Sequence, residues 1–172
     1  MISVFVGTSL DGFIARLNGD FDFLPADGGE PLGYDEFMAG IDAIVMGRNT
    51  FEVVLKFPSW PYEGKRVVVL SSRSIDVSAV KGGAVEHMSG TPAEIVSRLA
   101  ATGSHNLYID GGLTIQEFIR AGLIQRLIVT RVPVLIGSGI PLFGTIPRDI
   151  PLRHVVTRQY ASGLVSSEYR FD

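Results

Sequence analysis

Residues 44–52 read IVMGRNTFE, an apolar run that stops abruptly at glycine, arginine, asparagine and threonine. The first three residues are β-branched or apolar, which is typical of a short buried strand. Asn49 and Thr50 are residue types that begin helices, because their side chains accept hydrogen bonds from free backbone N–H groups. The stretch therefore predicts a strand, a glycine turn and a helix that ends near Leu55. Such a junction can hold a phosphate, because free N–H groups and the positive end of the helix dipole point toward it.

Strands and helices alternate through the rest of the chain. The stretch 7–33 is rich in glycine, aspartate and proline and predicts a long loop. The alternation predicts parallel strands with right-handed crossovers, whereas the last two strands flank Ser162-Gly163 and should form an antiparallel hairpin. Residues 1–172 therefore predict a single α/β domain. The predicted strands are 2–6, 66–70, 84–88, 106–109, 123–136, 152–160 and 164–171, and the further helices are 34–40, one that begins at Thr91-Pro92 and one that ends near Ala121.

The composition argues against several classes of protein. A formal net charge of −3 argues against a nucleic-acid-binding protein, which needs a basic surface. The chain has no cysteine, which excludes disulfides and thiolate metal sites, and its three histidines show no metal-ligand spacing. The N-terminus does not resemble a signal peptide, and the apolar region 123–143 is interrupted by charged residues, proline and glycine. We therefore expect a cytoplasmic protein that binds neither nucleic acid, metal nor membrane.

Three predicted strands end in residues that are suited to binding a phosphate, at 47–50, 70–73 and 110–112. Glycine lets a backbone approach a phosphate closely, serine hydroxyls add donors, and arginine can donate two parallel hydrogen bonds. The carboxyl ends of parallel strands meet at one edge of a sheet, where ligands bind. Each junction alone is more often a plain structural turn, and neither the dinucleotide glycine fingerprint nor a P-loop is present. Together the junctions fit an elongated ligand with a pyrophosphate and a further phosphate, such as NADPH.

Several motifs in one order resemble the dihydrofolate reductase superfamily, namely MISVFVGTSLDGFIA at 1–15, VMGRNTFE at 45–52 and VVVLSSR at 67–73. SLDGFIA and the stretch 107–144, which ends in PVLIGSGIPLFG, more closely resemble the reductase domain of the bifunctional riboflavin-synthesis deaminase-reductases. This resemblance implies a three-layer α/β/α dihydrofolate reductase-like fold, with a mostly parallel central sheet and antiparallel C-terminal strands. It also implies NADPH as cofactor, a small-molecule substrate and a homodimer.

The resemblance further implies roles for individual residues. Arg73 would meet the 2′-phosphate that separates NADPH from NADH, and Thr130 and Phe51 would contact the substrate. The residues implied in cofactor binding are Gly7, Ile14 and Ala15 beside the nicotinamide, Gly47, Arg48 and Thr50 beside the pyrophosphate and a ribose, Leu70, Ser71, Ser72 and Arg73 at the adenosine end, and Asp110, Gly111, Gly112, Leu113 and Thr114 along the pyrophosphate bridge.

The chain departs from the folate reductases at two positions. Those enzymes carry a carboxylate on the first helix, and counting back from Met46 at their usual spacing leads to Pro31, which carries no proton. Asp27 lies in a similar local motif but is followed by a predicted turn. Lys65 stands where the resemblance implies an arginine for the folate tail. Both departures weaken the assignment as a true dihydrofolate reductase.

The proton that accompanies hydride transfer needs a source, and a carboxylic acid can serve if burial raises its pKa. Asp11 and Asp35 are the predicted catalytic residues, and Asp27 and Asp110 are further candidates. Asp11 can also be interpreted as a residue that caps a turn. Asp35 can also be interpreted as a solvent-exposed acid in the first turn of a helix. Water could also deliver the proton.

Two apolar features of the sequence can each be interpreted in two ways. Trp60 either walls the substrate cleft or covers a satellite hydrophobic cluster. The stretch 132–136 either supports self-association or belongs to the core.

Three functions remain open. The first is an NADPH-dependent reductase like 5-amino-6-(5-phosphoribosylamino)uracil reductase, which transfers hydride to a small heterocycle or sugar-linked amine. The second is a reductase of dihydrofolate or another pterin. The third is a nucleotide-binding module that kept the cleft and lost the chemistry.

Overall fold

The structure is a computed structural model, and it describes residues 1–25, 32–78, 80 and 83–171. Its strands are β1 (Ile2–Ser9), β2 (Phe13–Ala15), β3 (Ala43–Gly47), β4 (Arg66–Leu70), β5 (Ala84–Met88), β6 (Leu107–Asp110), β7 (Arg126–Val132), β8 (Ile140–Pro141), β9 (Leu152–Gln159) and β10 (Val165–Phe171). Its helices are α1 (Tyr34–Ala39), α2 (Arg48–Val54), α3 (Pro92–Ala101) and α4 (Gly112–Arg120).

The main sheet has the strand order β5-β4-β3-β6-β1-β7-β10-β9. The pairs from β5 to β7 are parallel, and β10 pairs antiparallel with both β7 and β9. The antiparallel hairpin of the last two strands is therefore confirmed. Parallel strands with both faces covered by helices carry continuous apolar runs rather than alternating ones, which is the pattern of β3 and β4.

Two hydrophobic clusters occupy the two faces of this sheet. Val45 and Val68 belong to the cluster that includes residues of α3 and α4. Ile44 and Val67, their neighbours in the chain, belong to the cluster that includes residues of α1 and α2. Because successive strand residues point to opposite faces, the helices form one layer on each side of the sheet. The predicted α/β/α arrangement is confirmed.

Helix α3 begins where the sequence indicates. Thr91 Oγ1 accepts a hydrogen bond from the Glu94 amide at 3.3 Å, and Glu94 Oε2 accepts one from the Thr91 amide at 2.8 Å. This reciprocal capping box, with Pro92 in the first turn, satisfies two donors that the helix itself leaves free.

The predicted strand 123–136 and the predicted loop 7–33 both need correction. Strand β7 covers only Arg126–Val132, because Pro133 has no N–H group to continue the ladder. Strand β1 continues through Gly7 to Ser9, since this stretch pairs with Thr130–Val132 of β7. Strands β2 and β8 form a small antiparallel sheet that the sequence patterns do not predict.

None of the helices in the described ranges is long and apolar enough to cross a lipid bilayer.

Candidate functional site

A cavity of about 550 Å³ opens beyond the carboxyl ends of β3, β4 and β6, at the edge where α2 and α4 begin. This is the place where open parallel sheets bind ligands. Residues of β1 form part of the cavity, and the small sheet of β2 and β8 contributes Ile14, Ala15 and Ile140. The site is therefore built from segments that are far apart in the chain.

Two of the three predicted junctions are packed directly against each other. A Cβ atom at Gly111 would lie 2.2 Å from Thr50 Oγ1, and one at Gly47 would lie 2.9 Å from Thr114 Oγ1. Gly111 also has φ 89° and ψ 136°, a conformation that residues other than glycine rarely adopt. These glycines therefore allow the β3–α2 and β6–α4 junctions to meet. Both glycines also line the cavity.

The small sheet closes one side of the β6–α4 junction. A Cβ atom at Gly112 would lie 2.7 Å from Ile14 Cδ1 and 3.0 Å from Ile140 Cγ2. Glycine at this position thus lets α4 begin against the isoleucine side chains of β2 and β8.

The end of β4 contributes the third junction. The Ser71 carbonyl oxygen lies 2.8 Å from His87 Nε2, and Ser71 Oγ accepts a hydrogen bond from the Arg73 amide at 3.0 Å. These bonds fix the turn so that Leu70, Ser71 and Ser72 line the cavity. Arg73 is exposed and lies outside the lining.

Most residues implied in cofactor binding line this one cavity. Their roles in cofactor binding stay predictions. The lining members are Gly7, Ile14, Ala15, Gly47, Arg48, Thr50, Leu70, Ser71, Ser72, Asp110, Gly111, Gly112, Leu113 and Thr114.

The two residues implied in substrate binding are buried and do not line the cavity. Phe51 packs against Trp60, with ring centroids 6.2 Å apart, in the core cluster beside α1 and α2. Trp60 itself belongs to this cluster and lies outside the lining. Thr130 pairs with Gly7 across β1 and β7, and its Oγ1 has no hydrogen-bond partner among the described residues.

Asp110 is the acid that the structure brings to the cavity. Its Oδ1 accepts a hydrogen bond from the Gly111 amide at 2.9 Å, and its Oδ2 accepts one from Tyr62 Oη at 3.4 Å. Burial raises the pKa of the Asp110 carboxyl, although these hydrogen bonds stabilise its ionised form. A carboxyl of this kind holds its proton to a higher pH than an exposed aspartate does.

Tyrosine hydroxyls surround this carboxyl. Burial and, to a smaller extent, the Asp110 charge raise the pKa of Tyr34 to about 12. Burial and the same charge also raise the pKa of Tyr62 and of Tyr108, whose hydroxyl donates to the Phe5 carbonyl oxygen at 3.0 Å. The tyrosines therefore stay neutral, and the Tyr62 hydroxyl donates a hydrogen bond to the Asp110 carboxyl.

The two predicted catalytic acids lie elsewhere. Asp11 accepts hydrogen bonds from the amides of Ile136 at 3.3 Å and Gly137 at 2.8 Å. Hydrogen bonds from Ser9 and then from these amides lower the pKa of Asp11, which favours its ionised form. Asp11 thus anchors the chain after β7 and does not line the cavity.

Asp35 is exposed in the first turn of α1 and does not line the cavity either. Asp27 and Pro31 lie outside the described residues. Of the four candidate acids, Asp110 is therefore the one that the described part of the chain places in the cavity.

One apolar part of the cavity is not predicted by the sequence analysis. We call it the apolar wall, and it comprises Phe5, Val6, Phe21, Leu24, Val53 and Phe57. The rings of Phe21 and Phe57 meet edge to face, with centroids 6.0 Å apart. The one signal in the sequence is the presence of aromatic residues in a glycine- and aspartate-rich loop, which are unusual in a plain solvent-exposed connection.

Comparison with known proteins gives the family. Residues 1–166 match the model of the RibD C-terminal domain. The chain is 36% identical to a crystal structure named "Putative riboflavin biosynthesis protein" from Shewanella sp. PV-4, with a TM-score of 0.91 over 99% of this chain and 98% of that one. It is also 30% identical over 164 residues to the uncharacterized protein YwjB of Bacillus subtilis (strain 168), covering 94% of this chain and 92% of YwjB.

A more distant structure shares the fold. It is the diaminohydroxyphosphoribosylaminopyrimidine deaminase/5-amino-6-(5-phosphoribosylamino)uracil reductase of Thermotoga maritima, with 15% identity and a TM-score of 0.77. The match covers 100% of this chain and 56% of that one. The family model and the closer relatives agree along nearly the whole sequence, and this chain belongs to the RibD C-terminal domain family.

Proposed function

We propose that this protein is an NADPH-dependent reductase of the riboflavin-biosynthesis type, which reduces a small heterocyclic or sugar-amine substrate by hydride transfer. One observation carries the proposal. The β3–α2 and β6–α4 junctions pack against each other at Gly111 and Thr50, and the end of β4 lines the same cavity. Family membership supports the reductase class, since the family is that of the RibD reductase domain.

The residues present fit a dinucleotide. Gly47, Gly111 and Gly112 line the cavity, and glycine allows close approach of the backbone to a pyrophosphate. Arg48 would supply the charge beside it, and Ser71 and Ser72 would contact the adenosine end. When bound, NADPH supplies the hydride, and the protein supplies position and electrostatics.

The chain's own contribution to the chemistry is positioning and a proton. The apolar wall would keep water from the reacting face and hold a flat substrate. Asp110, the buried acid of the cavity, would hold a proton at Oδ2 or Oδ1 and donate it to the substrate atom that becomes negative. Tyr62, which donates to Asp110 Oδ2, would orient that carboxyl.

The test of cofactor choice compares NADPH with NADH. Each is titrated while nicotinamide fluorescence is followed, first with the unmodified chain and then with Arg73→Ala. We expect Arg73→Ala to weaken NADPH about tenfold or more and NADH little, because a guanidinium grips a phosphate and only NADPH has the 2′-phosphate. Arg131→Ala, which removes an exposed arginine from β7, is the matched control and should change neither affinity.

Two results would contradict the proposal. Saturating NADPH that leaves both the fluorescence and the melting temperature unchanged would argue for another function of the cavity. Equal losses of NADPH and NADH affinity in Arg73→Ala would contradict the proposal that Arg73 contacts the 2′-phosphate.

The homodimer also stays part of the proposal. Val132 is buried at the end of β7, whereas Leu135 is 69% exposed. We propose the stretch 132–136 as the contact between two copies because the family resemblance implies a homodimer. Light scattering at micromolar concentration should give twice the mass of the 18.6 kDa chain, and Leu135→Lys should reduce it.

A further inference from the structure

The apolar wall faces the cavity from three separate segments. Phe5 and Val6 lie on β1, Val53 lies on α2, and Phe57 follows that helix. The remaining two members come from the stretch after β2, where Leu24 covers Gly7 so closely that a Cβ atom at Gly7 would lie 2.9 Å from Leu24 Cδ2. This part of the cavity presents carbon atoms and aromatic faces.

Charge is scarce around the cavity. Among the described residues that line it, Arg48 and Asp110 are the charged ones. Arg48 belongs to the β3–α2 junction, and its Nη1 lies 3.6 Å from Glu52 Oε1.

The cations nearest to the wall in the chain are engaged or exposed. Arg16 Nη2 donates to Asp22 Oδ2 at 3.1 Å, and Lys65 Nζ donates to the Ile41 carbonyl oxygen at 2.9 Å. Lys56 is exposed beside Phe57, and none of the three lines the cavity.

A phosphate group on a substrate that the apolar wall encloses would therefore have no cation beside it among the described residues of the wall. Removing a charged group from water is very unfavourable unless an opposite charge or strong hydrogen bonds replace the water. Arg48 is the one described cation in the lining, and the proposed cofactor already brings several phosphate charges to its junction. The Asp110 carboxylate, when ionised, would repel a second anion.

We infer that the substrate is a flat, uncharged ring compound without a phosphate group, held between the apolar wall and the Asp110–Tyr62 pair. This inference rests on the proposed function and specifies the class of substrate that the reductase would bind. The wall contacts the ring faces, and the carboxyl and the phenol hydrogen-bond to amide or amine groups on the ring edge. The substrate class thus differs from that of a phosphoribosylaminopyrimidine.

Matched pairs of ligands test the inference directly. Aminopyrimidine, pterin and flavin rings are each offered as the neutral nucleoside-like form and as its phosphate ester, and their dissociation constants are measured with and without saturating NADPH. We expect at least one neutral compound to bind, and to bind about tenfold or more tightly than its phosphate ester. A phosphate ester that binds as tightly as its neutral partner, or a panel in which no neutral compound binds, overturns the inference.

A gain-of-function variant tests the same reasoning from the other side. Val53→Lys adds a cation to the wall and should raise affinity for the phosphate esters about tenfold, while Val53→Gln, which has a long polar chain without charge, should not. The melting temperature of both variants is recorded, so that a folding defect is recognised. An equal effect of lysine and glutamine would overturn the argument from charge.

The two proposals fail in different ways. If NADPH binds and phosphate esters are preferred, the reductase proposal stands and this inference falls. If NADPH does not bind while neutral rings still bind more tightly than their phosphate esters, the reductase proposal falls. The inference that the apolar wall binds uncharged rings then stands.

Discussion

Substitution of Gly111 by alanine tests the geometry on which the site depends. At φ 89° and ψ 136°, a residue with a Cβ atom is destabilised by about 1–3 kcal/mol. The new methyl group would lie 2.2 Å from Thr50 Oγ1, far inside van der Waals contact, and overpacking of this kind costs about 1–3 kcal/mol. We therefore expect Gly111→Ala to lower the free energy of unfolding by about 2–6 kcal/mol.

Urea denaturation measures this loss, and Gly122→Ala serves as the control. Gly122 has φ 68°, but a Cβ atom at this position would have no neighbouring atom within 4 Å, so alanine there meets the backbone penalty alone, about 1–2 kcal/mol. Thr50→Ala in the Gly111→Ala background removes the colliding oxygen and should recover part of the loss. Thr50→Ser retains that oxygen and should recover little.

The reasoning is refuted if Gly111→Ala and Gly122→Ala destabilise the protein equally, or if Thr50→Ala and Thr50→Ser rescue equally. NADPH titration of the same variants adds a functional readout. Gly111→Ala should weaken NADPH binding even at urea concentrations below its unfolding transition. The added methyl group pushes the β3–α2 and β6–α4 junctions apart, and these junctions form the proposed binding surface for NADPH.

Four further predictions concern two acids and a helix cap. Asp110→Asn should lower kcat about 10²–10⁴-fold with little change in NADPH affinity, because it removes the proposed proton donor. Since burial raises the pKa of Asp110, ionisation of this carboxyl costs stability as the pH rises above about 4, and urea titrations should show that loss in the unmodified chain relative to Asp110→Asn. Hydrogen bonds from Arg126 at 2.9 Å lower the pKa of Glu168, so its stabilising effect is present above about pH 4.5 and is lost as the pH falls through the lowered value. Glu168→Gln should accordingly cost about 1.5–3 kcal/mol at pH 7 and less as the pH falls through the lowered pKa of Glu168, and a loss that stays constant throughout an acid titration would contradict the ion pair. Thr91→Ala should cost about 1 kcal/mol by circular dichroism melts and leave NADPH binding unchanged, whereas a loss of cofactor affinity would show that α3 affects the site.

The fold can be predicted where local signals and tertiary structure agree. Strand β4 has its predicted bounds, because its valines are apolar on both faces and the strand is buried between neighbours. Helix α3 is predictable from Thr91, Pro92 and Glu94, which carry the whole capping signal within four residues. The last two strands are predictable from the Ser162-Gly163 turn.

The parts that sequence patterns do not predict depend on contacts between distant segments. Strands β2 and β8 are three and two residues long, so neither has a periodicity of its own. Asp110 accepts a hydrogen bond from Tyr62, which lies 48 residues earlier in the chain, so the local sequence does not indicate the surroundings of this carboxyl. The apolar wall likewise joins Phe21 and Phe57 from two irregular segments.

The central position of β1 determines when this chain can fold. Ile2 pairs with Leu107 and Ser3 pairs with Arg126, and the amino group of Met1 donates to the His105 carbonyl oxygen at 2.5 Å. Strand β1 therefore has no partner in the sheet until more than a hundred further residues have been synthesised after it. Folds with such high contact order form slowly, and unpaired apolar strands invite aggregation in the meantime. The nascent chain must therefore keep ISVFV apart from other chains until β6 and β7 emerge to flank it.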